Sequence, residues 1–196
     1  MYNVEQYVMA YSAEHARIKE LLAEGFSSLR PVLRLNAELI TPAGCCDERA
    51  AHARIEFNTP VEGRGKRGWL NLIVLDGRCA DIAIERDGAA TALAVSMGGH
   101  KLLNIRFTRV GREGGCPKED DNDGTFYSAY TADKCVFSPV EIIDGRKEYC
   151  DCEFDWSVPL AAVPPYNAET LVRAAGIPCE KILGAYAVNF LRREER

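Results

Sequence analysis

Arg30-Pro31-Val32-Leu33-Arg34-Leu35-Asn36-Ala37-Glu38-Leu39-Ile40 alternates hydrocarbon with polar groups at a period of two. Leu33, Leu35, Ala37 and Leu39 share one side, and Arg34, Asn36 and Glu38 share the other, which predicts a β-strand. A second run, His52-Ala53-Arg54-Ile55-Glu56-Phe57-Asn58, repeats the arrangement. Ala53, Ile55 and Phe57 lie opposite His52, Arg54, Glu56 and Asn58. Two strands therefore each carry a hydrocarbon face and an ionisable face. If they line an interior, the polar faces meet in a site; if they form an ordinary sheet, the same charges are solvated ion pairs worth about 0 to 1 kcal/mol each.

Working outward, Tyr2 to Ala10 reads as a strand, and Ser12 as the cap of a helix that has Glu14 in its first turn and stops at Gly25. Trp69 to Leu75 is almost wholly apolar and predicts a core strand. Asp76-Gly77 and Asp87-Gly88 mark turns around strands at 80–85 and 91–95. Further strands are expected at 102–110, 126–130, 136–143, 149–158 and 182–191. Pro164-Pro165 and Asn167 announce a second short helix at 168–175. Many short strands with two short helices predict a single α+β domain over residues 1–196, mainly antiparallel β, closed or nearly closed into a barrel.

Composition narrows the function classes. The chain has 196 residues, 47% of them hydrophobic and 27% charged, enough apolar material for a sizeable core. A net charge of −5 and a pI near 5.3 argue against nucleic-acid binding, which needs concentrated Lys and Arg. No run approaches the roughly 18 apolar residues of a membrane helix. A cytoplasmic protein is expected, with its eight cysteines remaining thiols. The cysteine and histidine spacings lack a zinc pattern, so no metal and no cofactor are assigned. Glu119-x-Asp121-x-Asp123-Gly124 resembles the front of a calcium loop, yet Tyr130 stands at its twelfth position, which favours a solvated acidic turn. The C-terminal Arg192-Arg193-Glu194-Glu195-Arg196 is likewise expected to be solvated.

The order Tyr7-Val8-Met9-Ala10-Tyr11, then Glu14 to Leu22, then Arg30 to Leu35, resembles the start of acetoacetate decarboxylase-like proteins. The resemblance continues through Glu56, Pro60-Val61, Gly65, Gly68 and Val74-Leu75-Asp76, about the first 76 residues. It implies a barrel with the polar faces inward and a homo-oligomeric assembly. Glu56 matches one active-site glutamate of the family; the other acidic position falls on Asn36, with Glu38 two residues on.

Two departures stand out. The family's first-strand arginine would fall near Val4, and its lysine-bearing segment should follow Asp76, where this chain turns into Gly77-Arg78-Cys79. An echo comes later, in Gly111-Arg112-Glu113-Gly114-Gly115-Cys116-Pro117-Lys118-Glu119. Lys118 is thus the candidate Schiff-base lysine, although Glu119 and the acidic residues after it favour its ammonium form over the neutral amine that attacks a carbonyl. Lys66 beside Arg67 is electrostatically better placed but reads as part of an exposed turn.

The resemblance implies a small keto acid or related enolisable carbonyl compound as substrate, with lyase-type chemistry. Glu56, Glu38 and Lys118 would be catalytic, and Arg34, Asn36 and Arg54 would bind the substrate. The competing expectation is a noncatalytic small-ligand-binding barrel. A third is a structural protein with these charges facing water.

Overall fold

A computed structural model describes residues 1–45, 51–114, 125–127, 135–137, 141–156 and 179–192. The described elements are β1 (Tyr2–Ser12), α1 (His15–Glu20), β2 (Phe26–Ser28), β3 (Val32–Pro42), β4 (His52–Gly63), β5 (Lys66–Asp76), β6 (Asp81–Asp87), β7 (Ala90–Met97), β8 (His100–Gly114), β9 (Thr125–Tyr127), β10 (Cys135–Phe137), β11 (Glu141–Trp156) and β12 (Lys181–Arg192). All twelve strands join one sheet, in the order β10-β9-β5-β4-β3-β1-β12-β11-β8-β7-β6, with β2 added to β4. Every pairing is antiparallel except the short parallel contact of β5 with β9.

Of the closed or nearly closed barrel expected from the sequence, the mainly antiparallel sheet is formed, but closure is not seen among the described residues. The hydrogen-bonded path is open, and among the described residues its end strands β10 and β6 are not paired with each other. The sheet instead coils over its own hydrocarbon face. Phe57 on β4 stacks on Trp156 of β11 with ring centroids 4.9 Å apart, although four strand steps separate them, about 19 Å in a flat sheet. Tyr7 of β1 likewise reaches Phe107 of β8 at 5.1 Å. The space between the two halves is filled by Tyr7, Met9, Tyr11, Leu33, Leu35, Phe57, Leu70, Ile73, Leu103 and Phe107, all fully buried or nearly so. A free edge remains at β6, where Asp81, Glu85, Arg86 and Asp87 are exposed; charges there discourage edge-to-edge pairing.

Several local expectations shift for identifiable reasons. The first helix has Glu14, not Ser12, at its N-cap, because β1 runs on through Ser12 as a partner of both Lys181 and Val32. That helix ends at Glu20, and Gly25, at φ 88, turns the chain into β2, an added strand with no sequence signal. Arg64 and Gly65, both at positive φ, make the β4–β5 hairpin turn and put Lys66 at the exposed start of β5. The second helix expected at 168–175 lies outside the described residues, as does the tract from Glu119 to Asp123. No described helix is long and apolar enough to cross a membrane.

Candidate functional site

The hydrocarbon sides of β3 and β4 face the core as their alternation requires. The opposite side is the informative one. Asn36 is 4% exposed, Glu38 3% and Asn58 1%, so the central part of the polar face is buried as well. Register fixes its layout: Asn36 lies across from Glu56, Glu38 from Arg54, and Arg34 from Asn58. On the other flank, β1 sets Val8 beside Asn36 and Gln6 beside Glu38. A bulge between Phe57 and Asn58 brings Asn71 of β5 opposite Asn58 and leaves Val74 opposite Glu56.

Within this face the carboxylates have different partners. Glu38 is gripped by Arg192 in a fork, Nη1 to Oε2 at 2.8 Å and Nη2 to Oε1 at 2.5 Å, while Gln6 Nε2 donates to Oε1 at 3.0 Å. Such bidentate, charge-assisted pairing is the strongest way to hold a buried carboxylate. Burial by itself lowers the Arg192 pKa, but the hydrogen bonds it donates to Glu38 and the charges of Glu38 and Glu56 outweigh it and raise the value. An apolar cluster of Val4, Ile40, Val188 and Phe190 walls this end of the site.

Glu56, 12% exposed, pairs with Arg54 two residues back on its own strand. Its pKa is raised: loss of solvent is the largest cause, the Glu38 charge adds to it, and Arg54, Arg192 and Arg34 oppose it. Between the two glutamates, the buried Asn36 Oδ1 has no hydrogen-bond partner among the described residues. Arg34 accepts a position between Trp69 and Asn58, its guanidinium 3.7 Å from the Trp69 ring centroid and its Nε donating to Asn58 Oδ1 at 3.2 Å.

The structure thus gathers Arg34, Asn36, Glu38, Arg54 and Glu56 on one face, buried at Asn36 and Glu38 and open to solvent at Arg54, whose side chain is 35% exposed. Lys118 lies outside the described residues, and Lys66 is exposed at the far end of β5. Asn58 was on the expected polar face without a role, and three further participants escaped the sequence reading: Gln6, Trp69 and Arg192. Arg192 corrects the expectation of a solvated C-terminal run. It also stands two residues along β12 from Phe190, the partner of Val4, and so brings a cation to the neighbourhood where β1 has none. Gln6 had a signal in its same-side spacing with Val4 and Val8, whereas nothing local marks Arg192.

Among the described residues no group of three or more His, Cys, Asp or Glu is placed to hold a metal ion. Burial pushes Cys150 up to about 11 and Cys152 up to about 12, so both are thiols near neutral pH. Both pack on the hydrocarbon core.

A single coiled, largely antiparallel sheet with one polar face buried defines the class, and solved structures show the same fold. Acetoacetate decarboxylase from Legionella pneumophila subsp. pneumophila str. Philadelphia 1 superimposes with a TM-score of 0.74 at 12% identity, over 96% of this chain and 83% of that one. The enduracididine biosynthesis enzyme MppR complexed with pyruvate gives 0.67 at 9% identity, over 96% and 85%. An acetoacetate decarboxylase-like enzyme from Sphingomonas wittichii RW1 gives 0.60 at 14%, over 98% and 91%. The chain therefore has the acetoacetate decarboxylase-like fold, in a divergent sequence. No family model matches it, and neither does any curated protein.

Proposed function

We propose that the chain binds a small keto acid, or a related enolisable carbonyl compound, against the buried polar face and moves a proton on it through Glu56. The observation that carries this reading is the unequal state of two neighbouring glutamates. Glu38 is bound by Arg192 and Gln6, whereas Glu56 is desolvated with a raised pKa, the condition that brings a carboxyl group toward the working range of a general acid and base.

The chemistry follows from the groups present. Arg54 or Arg34 holds the substrate carboxylate. The Glu56 carboxylate takes a proton from the carbon next to the carbonyl, the electron pair of that C–H bond moves into an enolate, and Glu56 becomes the acid that returns the proton. Whichever of Arg34 and Arg54 does not hold the carboxylate offsets the charge on the enolate oxygen. Glu38 acts through Arg192, which it holds in place beside Glu56. The fold likeness to acetoacetate decarboxylase and to an enzyme complexed with pyruvate supports the substrate class.

The test is exchange of the methyl protons of pyruvate, and of the C3 protons of 2-oxobutyrate, for deuterium, followed by proton NMR. Exchange above the buffer rate is expected, with Glu56→Gln losing it by about 100-fold or more. Absence of exchange with every keto acid tried would leave ligand binding without catalysis. Borohydride trapping in the presence of the same acids decides the covalent part: a mass adduct at Lys118 assigns imine chemistry to it, and no adduct leaves the carboxylates alone.

A further inference from the structure

Beside the carboxylates, on the same face of the sheet, lies a cleft of about 330 Å³ whose described walls carry Arg30, Arg34 and Lys147 and no carboxylate. Three cations around one cleft are conspicuous in a protein of net charge −5. Aromatic rings accompany them. Arg34 lies over Trp69 at 3.7 Å, and Lys147 Nζ sits 5.3 Å from the Tyr149 ring and 5.0 Å from the Tyr186 ring. Arg112 approaches the Tyr149 ring at 4.6 Å, adding a fourth cation nearby.

The floor is flat and nearly bare. Ala10 on β1 and Gly184 on β12 are direct partners, so neighbouring strands present nothing larger than a methyl group there. A Cβ built on Gly184 meets no atom within 4 Å, and the backbone at that position is not in the left-handed region. The glycine is therefore required neither by backbone conformation nor by close packing, and its effect is to keep the cleft open. Val8 closes the floor toward the carboxylates: it lies across from Asn36, whose next neighbour is Glu56, two strand spacings or about 10 Å away. The indole N–H of Trp69 is buried without a partner among the described residues, one more donor for an acceptor oxygen.

We infer that this cleft is a binding subsite for the flat, apolar body of an aryl carboxylate. Its cations hold the acid, and the Ala10–Gly184 floor and the Trp69, Tyr149 and Tyr186 rings receive the ring system. The volume lies at the low end of the roughly 300–1,000 Å³ found for small-molecule pockets, which suits one ring. The subsite deepens the reading above, since an aryl keto acid seated here reaches Glu56, but binding in it is independent of any reaction.

The probe is 3-phenylpropionate, which has the ring and the acid but no carbonyl to enolise, measured by titration calorimetry on the full chain. It is expected to bind at least tenfold more tightly than 3-phenylpropan-1-ol, and Gly184→Leu and Lys147→Met are each expected to weaken it at least tenfold. Near-ultraviolet circular dichroism reports that each variant is folded, and either one alone suffices. Equal binding of acid and alcohol, or wild-type affinity in a folded Gly184→Leu or Lys147→Met protein, would overturn the subsite. Binding of 3-phenylpropionate with the expected losses, but no deuterium exchange into any keto acid, upholds the subsite and refutes the proton-transfer reading. Exchange without such binding does the reverse.

Discussion

Strand β1 serves two polar clusters, one on each face of the sheet, and they are built to opposite specifications. On the core side Tyr7 is surrounded: its hydroxyl donates to Glu5 Oε1 at 2.7 Å, shares a hydrogen bond with Thr91 at 2.8 Å, and accepts from Arg109 Nη2 at 3.2 Å. Arg109 also donates to Glu5 at 2.7 Å and to Glu148 at 2.8 Å, and Arg86 reaches Glu5 at 2.5 Å. Both Glu5 oxygens are occupied by cations or by the phenol. On the opposite face, Arg192 is spent on Glu38; Glu56 has Arg54 but loses enough solvent to raise its pKa, and Asn36 Oδ1 has no described partner. A satisfied network fixes a fold, whereas one with a desolvated acid and an open acceptor is suited to a ligand.

The contrast can be broken from either side. The largest effect is expected from Arg192→Met, which strands the buried Glu38 carboxylate with Gln6 as its remaining described donor. A loss of about 3 kcal/mol in urea unfolding is expected, and Glu38→Gln in the same protein should recover much of it. Tyr7→Phe removes the hydroxyl from three partners in the satisfied cluster and should cost about 1–2 kcal/mol in the same assay. It should leave deuterium exchange intact, because that cluster lies on the other face.

Glu56→Gln sharpens the comparison through pH. A carboxyl group with a raised pKa binds more protons folded than unfolded between the two values, so its contribution to stability is present at low pH and is lost as pH rises through the folded value. The Tm of Glu56→Gln relative to the wild type should therefore climb as pH increases from the ordinary glutamate range toward neutrality. The smallest effect belongs to Arg86→Ala at the rim of the Tyr7 cluster. Arg86 is 58% exposed, and Arg109 and Tyr7 still serve Glu5, so less than about 1 kcal/mol is expected.

The sequence made the strands legible because period-two alternation survives burial: β3 and β4 begin close to where Val32 and His52 suggest, and β12 extends the expected 182–191 by one residue at each end. The alternation could not say whether the polar side was wet or dry, since Arg34, Asn36, Glu38, Arg54 and Glu56 would look the same in either setting. Arg192 was hidden for a different reason. It pairs with Glu38 across 154 positions, and its local neighbours, Arg193 and Glu194, are those of a solvated run. Lys147 was similarly invisible, because its place beside Tyr149 and Tyr186 depends on the β11–β12 register. The closed barrel failed as an expectation because hydrophobic patterning specifies which face is buried, and a sheet coiled over itself buries that face as well as a closed one does.

The most direct measurement of the central claim is a carbon-13 NMR titration of the Glu56 side-chain carboxyl in glutamate-labelled protein, assigned by its disappearance in Glu56→Gln. A midpoint clearly above the ordinary glutamate value of about 4.3 is expected. A midpoint at or below that value would mean that the Glu56 carboxylate is fully satisfied by its partners, and would contradict the assignment of this face as the functional one.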